Sequence, residues 1–182
     1  MMYYDTEEYI SGGISGAITD IYSKEANKHA ELYYKEIRKM STDVERISKN
    51  TGFSFDQILL IKNYLFINYH NIDGKYKRFD PCFPIAESWR RLAFDPKHIQ
   101  PHDLILIHHE LCEYDLILKG DNQSEAHEKT SKLFNYAKAS SEYYEKLVQK
   151  TKKQSNNIEE ELQQSSFNFI GGAISHLDFR TH

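Results

Sequence analysis

A mainly α-helical bundle with one small β-hairpin, built around a central helical hairpin, is the fold this sequence predicts. Three observations carry that reading. Apolar side chains recur at helical spacing through most of residues 23–150, helix stop and start signals flank the most apolar segment, and strand-like alternation is confined to residues 66–80. The length of 182 residues suits one domain, and 40% hydrophobic against 27% charged residues is a globular balance.

Residues 1–22 are rich in Gly, Ser, Ile and Tyr, and ISGGISGAITD reads as a linker. Ser23 is placed to cap a helix over KEANKHAELYYKEIRKM, with Ala30, Leu32, Tyr33, Ile37 and Met40 on one stripe and His29 toward solvent. Thr42 to Glu45 and Ser54 to Gln57 have capping-box spacing. The ISKNTGFS between them has the shape of a helix-turn-helix joint. A DNA-reading helix must present polar groups to a groove, whereas FDQILLIKNYLF is apolar around most of its circumference, with Lys62 its only cation. Core packing is therefore expected.

Alternation in FINYHNIDGKYKRFD flanks Asp73-Gly74, a pair favoured in two-residue turns, and predicts the β-hairpin. Pro81 and Pro84 end it. IAESWRRLAF then makes a short helix with Trp89 and Leu92 inward and Arg90 and Arg91 toward solvent or a carboxylate, and His98 and His102 are expected in the loop that follows.

Leu104 to Leu118 carries apolar side chains at nearly every angle of a helical wheel, which predicts a buried helix. Gly120 reads as its terminator, and Ser124 as the N-cap of a second helix from Glu125 into the 140s. The apolar face of that helix is Leu133, Ala137, Tyr144 and Leu147, while Tyr136 and Tyr143 fall elsewhere on the wheel. Residues 23–150 thus form the domain, and 151–182 a polar linker followed by an apolar tail whose glycine pair could divide two strands.

The net charge of −4 and pI near 6.1 exclude a large electrostatic footprint for nucleic acid, although a local basic patch is compatible with both. No run of about 20 apolar residues is present to insert in a membrane. The start MMYYDTEEYISGG lacks the basic and apolar regions of a signal peptide, so the expected location is the cytoplasm or, after delivery, a target cell. Cys82 and Cys112 lack metal-site spacing and read as reduced, packed thiols.

The chemistry concentrates in the central hairpin. His109, Glu110 and Glu113 share one arc of their helix, since offsets of three and four residues face the same way. Buried imidazole and carboxylate are costly unless paired or bound to an ion. His109 precedes Gly120 by eleven residues and His127 follows it by seven, so at about 1.5 Å rise per residue the two meet across the hairpin. At position N3 of its helix, His127 would be held neutral by the helix dipole.

Three uses of these groups follow. Zinc proteases place two His at i and i+4 with a Glu beside the first; here HELCE puts Glu113 in the second ligand position, His127 supplies a third ligand, and Glu110 is left as base. A mixed His and carboxylate set of His109, Glu113 and His127 suits Zn, Mn or Fe. The same residues without metal form a ribonuclease-like acid/base pair, with Arg78 or Lys77 on an anionic group and His70 and Tyr136 as further substrate contacts. In the third use, His109 and Glu113 are a satisfied pair in a buried polar network, and the chain is a non-catalytic phage structural or protein-interaction module.

RFDPCFPIAESWRRL, PHDLILIHHELCEYDLILKG and SEAHEKTSKLFNYAKASSEYY resemble the C-terminal polymorphic-toxin-like modules of phage minor head (MuF-type) proteins from low-GC Gram-positive bacteria. The similarity runs from about SGAITDIYSKEA to Lys146 and rests on Arg78-Phe79-Asp80-Pro81, Glu87-Ser88-Trp89, His102-Asp103, His109-Glu110 with Glu113, and Glu125-Ala126-His127. The resemblance implies a delivered effector with a catalytic centre in those polar groups and a cognate immunity protein as partner. Taken with the His/Glu pattern itself, the expected activity is that of a toxin-like hydrolase, nuclease included, with Arg78 on the anionic part of a substrate. The chain departs from that pattern in standing without a phage or secretion domain and in its tail after Lys150.

Overall fold

The computed structural model describes residues 20–72 and 74–174, with side chains to residue 162. The elements are α1 (Lys24–Lys39), α2 (Asp43–Thr51), α3 (Phe55–Lys62) running into a π-helical turn (Asn63–Ile67), β1 (His70–Ile72), β2 (Lys75–Lys77), α4 (Phe83–Phe94), a 3-10 turn (Pro96–His98), α5 (Pro101–Leu118), α6 (Gln123–Leu133) and α7 (Tyr136–Ile174). The fold is mainly helical with one two-stranded antiparallel hairpin, as its periodicities predict. The predicted linker falls on residues outside the described ones up to position 19.

Ser23 caps α1, accepting from the Ala26 N–H at 3.0 Å. The helix buries Ala26, Ala30, Tyr33, Tyr34 and Ile37 rather than Leu32 and Met40. His29 does not face solvent: its Nε2 lies 2.9 Å from the buried Glu87 carboxylate. Thr42 makes no side-chain cap, but Ser54 and Gln57 bond reciprocally at the start of α3. Between these helices Gly52 adopts φ +80°, a conformation only glycine takes without strain.

The helix-turn-helix-like pair belongs to the core. Lys62 Nζ donates to the Met40 carbonyl at 2.6 Å and to Asp43 Oδ1 at 2.7 Å, while Trp89 Nε1 donates to Asp43 Oδ2 at 2.9 Å. An ammonium so held cannot reach a nucleic-acid groove. Beyond Lys62 the helix widens, with the Asn68 N–H bonding to the Asn63 carbonyl at 2.8 Å. The wider turn buries Tyr64, Leu65 and Phe66 in succession, which a regular α-helix does not do. Phe66, expected to begin the β-hairpin, instead packs edge-on against Trp89 and Tyr34 at ring separations of 5.0 and 4.7 Å.

The hairpin itself is short, with His70 opposite Lys77 and Ile72 opposite Lys75. Gly74 sits at φ +75° in its turn, and Asp73 lies outside the described residues.

In α4, Trp89 and Leu92 point inward as the sequence requires, and so does Arg91. Its guanidinium makes a two-pronged bond to Asp103 at 2.7 and 2.8 Å and donates to His102 Nε2 at 2.9 Å. His102 is therefore not in a loop. Pro101 starts α5, whose first turn buries both His102 and Asp103.

Two expectations about the central hairpin change. Asn122, not Ser124, caps α6, accepting from the Glu125 N–H at 3.0 Å, so His127 is the fifth helical residue rather than the third. The second helix also breaks at Phe134 and Asn135. The break resets the helical phase, which leaves Leu133 exposed and buries Tyr136 instead of Ala137.

By contacts the chain divides at Tyr144. The second unit is helical to Ile174, through Gly171 and Gly172, so the glycine pair does not separate strands. Its side chains from Gln149 to Leu162 are exposed. None of the described helices is long and apolar enough to cross a membrane.

Candidate metal centre

Three ligand-type atoms from two helices converge on one point. His109 Nε2 lies 3.3 Å from Glu113 Oε2 and 3.3 Å from His127 Nδ1, and His127 Nδ1 lies 2.8 Å from the same Glu113 oxygen. A triangle with those sides has a circumradius of about 1.8 Å. Those separations match the spacing of ligand atoms around a divalent cation at about 2.0–2.2 Å, so His109, Glu113 and His127 could hold one.

The local sequence explains the convergence. His109 and Glu113 are one helical turn apart on α5. At the end of α5 the Gly120 N–H bonds to the Ile117 carbonyl at 3.0 Å and the Asp121 N–H to the Leu116 carbonyl at 3.1 Å, a Schellman termination that directs the chain back. The Asn122 cap then starts α6, and its second turn carries His127 to the pair on α5.

Surrounding groups orient each buried ligand. His109 Nδ1 lies 2.7 Å from the Phe134 carbonyl and so carries a proton; in the neutral ring Nε2 then keeps its lone pair toward the centre, and in the imidazolium it donates to Glu113. The break between α6 and α7 is what turns that carbonyl inward. His108 stacks on the Phe134 ring at 5.2 Å and 14°, holding the same residue by its side chain. Tyr64 donates to Glu113 Oε1 at 2.8 Å, which leaves Oε2 for the imidazoles.

Glu110 differs from these groups. The residue is 6% exposed and its carboxyl has no hydrogen-bond partner among the described residues, yet it lines two clefts that reach the centre. One cleft, of about 620 Å³, runs past Tyr64, Asn71, Phe79 and Gln123. The other, of about 450 Å³, runs past Phe83, Ser131, Tyr136 and Ser140. They share Ile85, His109, Glu110 and His127, so the centre sits where the two meet.

Burial lifts the Glu110 carboxyl to about 8, with His109 opposing and Glu113 adding to the rise. Burial acts to lower His109, but its bonds to Glu113 and the Phe134 carbonyl outweigh that and raise it. For Glu113 burial pushes upward, and the hydrogen bonds from His109, His127 and Tyr64 bring it below the usual carboxylate range. The centre thus holds one stabilised carboxylate, Glu113, and one carboxyl, Glu110, whose neutral form burial favours.

Of the residues singled out from sequence, the structure brings together His109, Glu110, Glu113 and His127, sets Arg78 and His70 apart, and places Tyr136 on one of the clefts. Arg78 donates through Nε to the Ile67 carbonyl at 2.9 Å, lays its guanidinium over the Tyr69 ring and lines neither cleft. His70 faces the Tyr64 carbonyl at 2.8 Å and stacks on Phe79, supporting the residue that holds Glu113. Tyr136 lines the second cleft, with its hydroxyl 3.0 Å from Ser88 Oγ deep in the core. Tyr64 and Phe134 have no sequence signal: one lies within an apolar run, the other in what reads as an uninterrupted helix.

No protein-family model, curated protein or solved structure matches this chain.

Proposed function

We propose that the chain is a metal-dependent hydrolase of the toxin-like effector class. His109, Glu113 and His127 hold the cation, and Glu110 exchanges protons with the attacking water and the leaving group. The observation that carries this reading is the convergence of three ligand atoms within 3.3 Å of one another beside an accessible, unpaired carboxyl. A purely structural network accounts for Glu113, whose oxygens are all bonded. It gives no reason to bury Glu110 facing two clefts without a partner. Zn, Mn and Fe all accept two imidazoles and a carboxylate. The resemblance to phage-borne toxin modules supports the effector role and a cognate immunity protein as partner.

Elemental analysis of protein purified without a histidine tag or chelator tests the reading. About one equivalent of Zn, Mn or Fe is expected. His127 is the informative variant because its side chain is 60% exposed, so His127→Ala removes a ligand without opening the core. That variant should fold and lose the metal. Native protein that neither retains a metal nor is stabilised on adding one overturns the proposal; a cation at 100 times its Kd stabilises by about 2.7 kcal/mol.

A further inference from the structure

We infer, resting on the hydrolase reading above, that the substrate is an extended, uncharged stretch of polypeptide and that the bond cleaved is a peptide amide rather than a phosphodiester. Two features of the clefts carry this.

The first is charge. No Lys or Arg is among the described residues lining either cleft, and the acidic groups that do line them are Glu110, Glu113 and Asp80. Beside the first cleft, Lys77 is paired with the lining Asp80 at 2.7 Å, and Arg78 is held by the Ile67 carbonyl and the Tyr69 ring. Phosphoryl transfer spreads negative charge over the non-bridging oxygens and is catalysed by positive groups placed around them. A single divalent cation held by Glu113, with the Glu110 carboxyl beside it, would offer little of that. Amide hydrolysis develops one oxyanion at one carbonyl, which a single cation serves.

The second is shape. The two clefts share Glu110, His109 and His127 and otherwise have different linings, so the candidate centre is common to two arms that could each take one side of a scissile bond. Asn71 and Gln123 in one arm, and Ser131 and Ser140 in the other, bring amide and hydroxyl groups to a peptide backbone. Phe79 and Phe83 provide apolar walls for its side chains. In the reaction, Glu110 in its ionised form takes the proton from water as the water oxygen adds to the carbonyl carbon. Glu110 passes that proton to the amide nitrogen, the C–N bond breaks, and one water is consumed per carboxylate and amine released.

The test uses the full chain loaded with one equivalent of zinc or manganese. It is incubated with amine-blocked peptides from a bacterial lysate and, in parallel, with total RNA and genomic DNA from the same lysate. New α-amines are counted by mass spectrometry and new nucleic-acid ends by labelling. New amines are expected from peptides of few charges. They should fall about 100-fold or more in Glu110→Gln, which retains the metal, in line with the usual contribution of a general acid–base group. New nucleic-acid ends without new amines overturn the peptide assignment and leave the hydrolase standing. A metal-loaded protein that produces neither overturns both.

Discussion

At the scale of single residues, Glu113 organises the centre because its two oxygens have different duties. Tyr64 takes Oε1, and the two imidazoles face Oε2. Removing the tyrosine hydroxyl frees the carboxylate to rotate and to bind a cation through both oxygens. Tyr64→Phe should therefore keep the fold and weaken metal affinity about tenfold, the lower end of what outer-shell partners contribute; competition with a chromophoric chelator measures it. His109→Ala acts differently, since it removes a buried ring and one of the two donors to the Phe134 carbonyl, the Tyr136 N–H at 3.0 Å being the other.

At the scale of elements, the centre depends on where two helices stop. Gly120 adopts φ +105° in the Schellman turn, and a side chain there meets no neighbouring atom, so the cost of substitution is backbone strain alone. Gly120→Ala should destabilise the domain by roughly 1–2 kcal/mol, read from urea unfolding. The break after α6 matters as much, because a continuous helix keeps the Phe134 carbonyl in its own hydrogen-bond ladder. The π-helical turn after α3 has the same kind of consequence: three successive buried residues include the tyrosine that reaches Glu113. Of these three features, the Gly120 stop is written in the sequence. The other two arise where the local helical pattern yields to packing of Tyr136 on one side and Phe66 on the other.

At the scale of the molecule, the core is pinned by buried polar groups. Arg91, Asp103 and His102 tie α4 to α5, and Asp43 ties α2 to α3 and α4. Burial lowers His102 to about 4, with Asp103 opposing and Arg91 reinforcing the fall. The folded state then binds fewer protons than the unfolded chain between about pH 4 and the ordinary histidine value near 6.5. Stability contributed by neutral His102 is complete above about pH 6.5 and declines as pH falls toward 4, by up to about 3 kcal/mol at 1.36 kcal/mol per pH unit. Chemical denaturation across that range should show the slope, and His102→Gln should flatten it.

Helical periodicity, caps and the Gly120 stop by themselves determined a helical bundle with one short hairpin, and placed His109, Glu113 and His127 within reach of one another. Those features are local, set by backbone geometry over a few residues. The sequence also suggested a helix buried on all sides, but the buried residues of α5 are mostly polar, and Leu104 and Leu118 face outward. Only tertiary structure decided that inversion, together with the isolation of Arg78 and the roles of Tyr64 and Phe134. The physical reason is that hydrogen bonds to buried charge are made between elements distant in the chain, and a lone side chain carries no periodic trace of the partner it will meet.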